Sequence, residues 1–154
     1  MSKRVHPLDP AECERAVQVC ACLNFRKAAR SVTQLFDGIL QPSGLRSTQF
    51  VVLVAVRAAE PAPLPDLARE LQLDRSTLTR NLKPLARAGL LRIEDKAGER
   101  ARFARLTAKG HRLLADTLPL WQEAQDRFLA QVGKRNWREL RGILTDVVTA
   151  AEDA

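Results

Sequence analysis

The chain has 154 residues, enough for one domain with its own core and an extended helical appendage, and its 45% hydrophobic content argues against disorder. No apolar run reaches membrane-spanning length and the opening MSKRVHPLDP lacks the apolar segment of a secretion signal, so a cytoplasmic protein away from membranes is expected. The formal charge is +7, and all of the excess falls on residues 69–112, which hold twelve Lys and Arg against five acids; elsewhere thirteen of each balance, so one module is suited to a polyanion.

Asp9-Pro10-Ala11-Glu12 reads as a helix start, with a cap, a proline in the first turn and an early acid. Phe25, Ala28, Ala29, Val32, Leu35, Phe36 and Ile39 keep helical period, so one long helix is expected up to about Leu40, where Gln41-Pro42-Ser43-Gly44 breaks it. Such a helix is longer than a small core needs, and part of its apolar face is expected to meet another chain. Cys13, Cys20 and Cys22 all fall within it. Their spacing matches no zinc framework, an odd number makes no closed disulfide scaffold, and His6 and His111 stand far apart. No metal and no cofactor are expected.

Ser47 begins a second helix that runs to about Ala59. Phe50 to Val56 is apolar nearly all round, so this helix is expected to be buried. Residues 60–65, EPAPLP, form a rigid connector in which any strand is very short. A short helix then covers Asp66 to Leu71, with Leu67 and Leu71 inward, and Gln72-Leu73-Asp74 is a turn.

The stretch DRSTLTRNLKPLARAGL, residues 74–90, carries the clearest pattern. Leu78, Leu82 and Leu85 recur at helical spacing, Asp74 stands where an N-cap belongs, and Gly89 follows where a helix needs a left-handed stop. About 100° per residue places Ser76, Arg80, Lys83 and Arg87 opposite the leucines, with Arg75, Thr77 and Thr79 beside them. Small hydroxyls at the start of a helix and cations further along suit base edges and phosphates. Two strand-like runs follow, Leu91 to Glu94 and Phe103 to Leu106, joined by a charged connection with Gly98 in its middle. That is a β-hairpin with a basic tip carrying Lys96, Arg100 and Arg102.

Thr107 caps a long helix from Ala108 to about Val132, stopped by Gly133, with a kink expected near Ala115 to Leu118 because Pro119 lies inside it. A last helix spans about Asn136 to Ala151, with Trp137, Leu140, Leu144, Val147 and Ala151 on one stripe. Long amphipathic helices at both ends predict a dimer built from the termini. Enzyme readings find no glycine-rich phosphate loop, no metal spacing and no nucleophile placed with a histidine, so the chain is not expected to be an enzyme.

Helix, short helix, turn, helix and a two-stranded wing is the order of a winged helix-turn-helix. Through GLRSTQFVVL (44–53), LARELQLDRSTLTRNLKPLARAGLLRI (67–93) and RARFARLTAKG (100–110), with long helices on either side, the chain resembles the MarR family of bacterial transcriptional regulators. The resemblance implies a mainly α fold with a small two- or three-stranded β wing. Its helical dimerisation region would comprise 1–46 and 107–154, and its DNA-binding domain 47–106. It also implies a homodimer, in regulatory practice a repressor, on a palindromic operator in double-stranded DNA. The recognition helix would be Asp74 to Ala88, and the wing arginine that enters the minor groove Arg100, with Arg102 close by. Family members often carry an aspartate two residues before that arginine; here Gly98 stands there, beside Glu99.

Release from DNA has two readings. In one, a small aromatic or apolar ligand binds between the helical region and the winged domain, where Phe25, Arg26 and Arg30 are candidates for its lining. In the other, Cys22 senses oxidant, with Arg26 one turn on to favour the thiolate. The peroxide-sensing relatives hold their thiolate with tyrosine hydroxyls, and this chain has no tyrosine; a helical cysteine is also commonly a small buried apolar residue. Equal operator binding by parent and Cys22→Ser after peroxide would exclude the thiol. A different class of function, a sequence-indifferent architectural DNA-binding protein, uses the same basic module and is separated by whether random duplexes yield a motif.

Overall fold

The computed structural model describes residues 8–95, 98 and 101–152. The chain divides into two compact units, Met1–Gln34 and Leu35–Ala154. In the first, Asp9 caps α1 (Pro10–Val19), its Oδ1 accepting from the Ala11 amide at 2.9 Å. The single long helix expected from Asp9 to Leu40 is interrupted. Cys20 takes an extended ψ of 112°, and a second helix, α2 (Ala21–Leu40), begins after it. The Asn24 side chain donates to the carbonyls of Gln18 and Cys20, both at 3.0 Å, and so satisfies the Gln18 carbonyl that the break releases; that of Cys20 also accepts the Asn24 amide. No Gly or Pro marks this break, so periodicity ran straight through it.

The second unit takes in the end of α2, where Leu40 is fully buried. A 3₁₀ turn (Gln41–Ser43) closes on Gly44 at φ 74°. Next come α3 (Ser47–Ala58), β1 (Ala62–Pro63), α4 (Leu64–Glu70), α5 (Arg75–Arg87), β2 (Leu91–Asp95), β3 (Arg102–Leu106), α6 (Ala108–Val132) and α7 (Lys134–Glu152). The very short strand anticipated in the connector is β1. It pairs with β3 through Ala62 and Ala104, and β3 pairs with β2 from Leu91↔Leu106 to Asp95↔Arg102, giving an antiparallel sheet of order β1-β3-β2.

One core joins α3, α4, α5 and the sheet: Phe50, Leu53, Val56, Leu67, Leu78, Leu82, Leu85, Leu91 and Leu106 are all buried. The ring of Phe50 stacks on Trp121 of α6 at 6.2 Å between centroids. The expectation that α3 is buried all round is corrected on one face, since Val51 is 47% and Val54 38% exposed. Packing against the sheet and against α4, α5 and α6 still covers only part of its circumference, and apolar composition alone does not say which part.

The helix α6 runs unbroken through Pro119, so the expected kink leaves no gap in it. Its cap is Thr107, whose Oγ1 accepts from the Gly110 amide at 3.0 Å, and it ends at Gly133 with φ 88°. The Phe128 and Trp137 rings meet edge to face at 5.1 Å where α6 turns into α7. Among the described residues no helix is long and apolar enough to cross a membrane, and no three His, Cys, Asp or Glu cluster around a metal position.

Candidate nucleic-acid interface

Two local devices set the orientation of α5. At its start, α4 ends and Gln72 adopts φ 50°, which lets the Leu73 amide turn back to the Ala68 carbonyl at 2.8 Å. At its end, Gly89 at φ 69° sends its own amide to Ala86 and the Leu90 amide to Leu85, the paired bonds of a Schellman stop. Between these ends Leu78, Leu82 and Leu85 are buried, so the opposite side faces outward.

That outward side carries the cations. Arg75, Arg80, Lys83 and Arg87 are all exposed, and none forms an ion pair among the described residues. The Arg80 guanidinium instead donates to the Thr77 hydroxyl at 2.9 Å. Thr77 in turn donates to Asp74 Oδ2 at 2.6 Å, and its amide donates to Asp74 Oδ1 at 2.8 Å. The Ser76 hydroxyl also donates to Asp74 Oδ1, at 2.6 Å. These bonds, led by the Ser76 and Thr77 hydroxyls, hold the Asp74 carboxyl well below the usual carboxylate range. The hydroxyls at the start of α5 are therefore occupied as donors. Thr77 is half-buried and spans Asp74 and Arg80, while Ser76 and the exposed Thr79, which donates to the Arg75 carbonyl at 2.8 Å, keep acceptor capacity outward.

The wing meets α5 on one flank. An open recess of about 470 Å³ is lined by Leu64, Pro65 and Ala68 from α4, Arg75 and Thr79 from α5, and Arg102 from β3. Three of the anticipated site residues, Arg75, Thr79 and Arg102, thus converge on one hollow. Arg102 also pairs with Asp95 across the hairpin at 3.2 Å, in an exposed contact of the kind that contributes little to stability and yields readily to a competing anion. Lys96 and Arg100 lie outside the described residues. Cys22, Phe25 and Arg26 lie on α2 in the first unit, all three exposed, with no bond or ion pair between Cys22 and Arg26. The small buried cysteine considered for that helix is thus not what Cys22 is. Arg46 lies outside the basic segment of residues 69–112, yet the start of α3 brings it beside α5, a proximity no charge pattern along the chain encodes.

A helix-turn-helix domain family matches residues 45–94. No curated protein is significantly similar to the chain in sequence. Among solved structures, the Mycobacterium tuberculosis transcriptional regulator MosR in complex with DNA is 38% identical, with a TM-score of 0.79 over 87% of this chain and 97% of that one. A MarR-family transcriptional regulator from Rhodococcus sp. RHA1 shares the fold at 23% identity and a TM-score of 0.69, over 81% of this chain and 89% of that one. So does the transcriptional repressor CouR bound to p-coumaroyl-CoA, at 22% identity and a TM-score of 0.77, over 86% and 94%.

Proposed function

The chain belongs to the MarR family of winged helix-turn-helix transcriptional regulators and is a DNA-binding protein; from that premise we propose that it is a sequence-specific repressor acting as a homodimer on a palindromic operator. The recognition helix is α5, with Arg75, Ser76, Thr79, Arg80 and Lys83 facing the major groove, Thr77 holding Arg80, and the wing carrying Lys96, Arg100 and Arg102 to the flanking backbone. The observation that carries this reading is the row of cations on α5: the opposite side of the same helix is locked into the core, and among the described residues no acid forms an ion pair with the row. Such a ridge presents fixed positive charge to phosphate and guanine at no cost in broken ion pairs.

The dimer reading, with 1–46 and 107–154 as its helical region, is supported by apolar side chains left uncovered on α7, Leu140, Ile143, Val147 and Val148. Release by a small apolar anion is supported by an open recess of about 470 Å³ where α3 faces α6. Val54, Leu114 and Leu118 form its apolar walls, with Arg57 and His111 among its lining. CouR, which has the same fold, is a repressor seen with an acyl-CoA bound.

Selection from random duplexes tests the proposal. A palindromic motif is expected, and Arg80→Ala should weaken binding to it by roughly 1–3 kcal/mol in a fluorescence-anisotropy titration, the range of one bidentate base contact. Enrichment of no motif would make the chain a sequence-indifferent DNA-coating protein instead.

A further inference from the structure

On the flank of α5 away from the wing recess lies a second hollow, of about 390 Å³, bounded by the start of α3 and the middle of α5. Its polar lining is Arg46, Thr48 and Gln49 from the first and Arg80 and Asn81 from the second, with no carboxylate among the lining residues. The amides at the start of α3 are not what makes it a site. The Arg46 amide donates to Gln49 Oε1 at 3.0 Å, and the Ser47 amide to Asp37 Oδ1 at 2.6 Å. What remains is a cleft built from side chains. Arg46 and Thr48 are exposed, Arg46 has no ion pair among the described residues, and Arg80 spends one N–H on Thr77 and keeps the rest.

We propose that this cleft seats one phosphate of the DNA backbone, held by Arg46 with the Thr48 hydroxyl and Asn81 amide completing its shell, while Arg80 borders the seat, adds its charge and reaches on to the base edges. The inference rests on the reading of α5 as the helix that enters the major groove, and it deepens that reading by naming a backbone contact outside the recognition helix and the wing. Two guanidiniums supplied by different elements, facing one hollow that no carboxylate lines, match the charge and the several acceptor oxygens of a phosphate diester. Continuity carries the rest of the argument. Arg80 belongs both to the outward row of α5 and to this cleft, so a duplex lying on that row brings one of its strands alongside Arg46. The seat positions the duplex and reads no base, because a phosphate is the same at every step.

The test is a salt titration of the full chain, followed by anisotropy, on the selected operator and on a random duplex. Arg46→Ala is expected to weaken both duplexes by the same factor and to make the slope of log K against log salt shallower by about 0.9 for each seat filled. Arg46→Lys, which keeps the charge, should restore most of the slope. Parent-like affinity and slope in Arg46→Ala, alongside weakened binding by Arg80→Ala, overturns the seat and leaves the regulator reading standing. A loss confined to the operator also overturns it, since Arg46 would then be reading a base. Failure of the parent chain to prefer any motif defeats the regulator reading instead, while the slope on random duplexes still decides the seat.

Discussion

Asp74 accepts from the Ser76 hydroxyl, the Thr77 amide and the Thr77 hydroxyl, and through Thr77 it fixes the base of the Arg80 guanidinium. Every one of those donors favours the ionised carboxylate, and its pKa in the folded chain lies below the ordinary value of 3.8. The sign of the linkage follows. The stabilisation is fully present above the ordinary carboxylate value and is lost as pH falls through the lower, folded value. Asp74→Ala is therefore expected to lower the urea midpoint at neutral pH, and the gap from the parent should close as the solution is taken below the carboxylate range. A gap independent of pH would show that the cap works without its charge. Asp74 was recognisable in the sequence as an N-cap; that it also organises Arg80 was not, because that depends on the rotamer of Thr77.

Elements are tied to one another most tightly where α6 begins. Thr107 Oγ1 donates to the Gly89 carbonyl at 2.6 Å and Lys109 Nζ to the Ala88 carbonyl at 2.8 Å, so the first turn of α6 holds the residues that end α5. Gly110 makes the approach possible: a Cβ there would stand 1.9 Å from the Leu90 carbonyl oxygen, a backbone atom that cannot swing aside. Gly110→Ala is expected to destabilise the fold by roughly 1–3 kcal/mol, the usual cost of overpacking, measured by urea denaturation. Because the displaced segment ends α5, the proposed recognition helix, operator affinity should fall with it. Unchanged stability would mean that α6 can lift off α5 freely. Nothing in the sequence distinguishes Gly110 from Gly38 or Gly142, which meet nothing within 4 Å. The close approach joins residues twenty apart.

For the molecule as a whole, the covered and uncovered apolar faces differ sharply. The core shared by α3, α4, α5 and the sheet is buried, whereas α1 buries no residue and α7 leaves Ile143 55% exposed. A chain that spends this many apolar side chains on water is poised to associate, and a second copy is the occupant that the proposed palindromic operator calls for. Ile143→Asp is expected to shift the protein to the monomer in sedimentation and to weaken operator binding, with α5 itself untouched. A parent that already sediments as a monomer at the concentrations that bind DNA would sink the dimer.

The local parts of the site were legible because local rules produce them. The buried leucine row of α5, the Asp74 and Thr107 caps, the Gly89 and Gly133 stops and the hairpin strands each depend on residues within a few positions of one another. The break at Cys20 was not legible, since no Gly or Pro marks it and the Asn24 side-chain bonds that accompany it form only once the chain has turned there.

Fold class, helix α5 with its buried leucine row and the sign of its exposed side were determined by the sequence alone, because helical period and residue charge are properties of the chain read along its length. Only the tertiary structure decided that Val51 and Val54 stay uncovered, that Arg75, Thr79 and Arg102 share one hollow, and that Arg46 joins Arg80 in another. Those outcomes depend on how α3, α4, the wing and α5 lean on a common core, and the distances between separate elements are set by packing, not by any spacing along the chain.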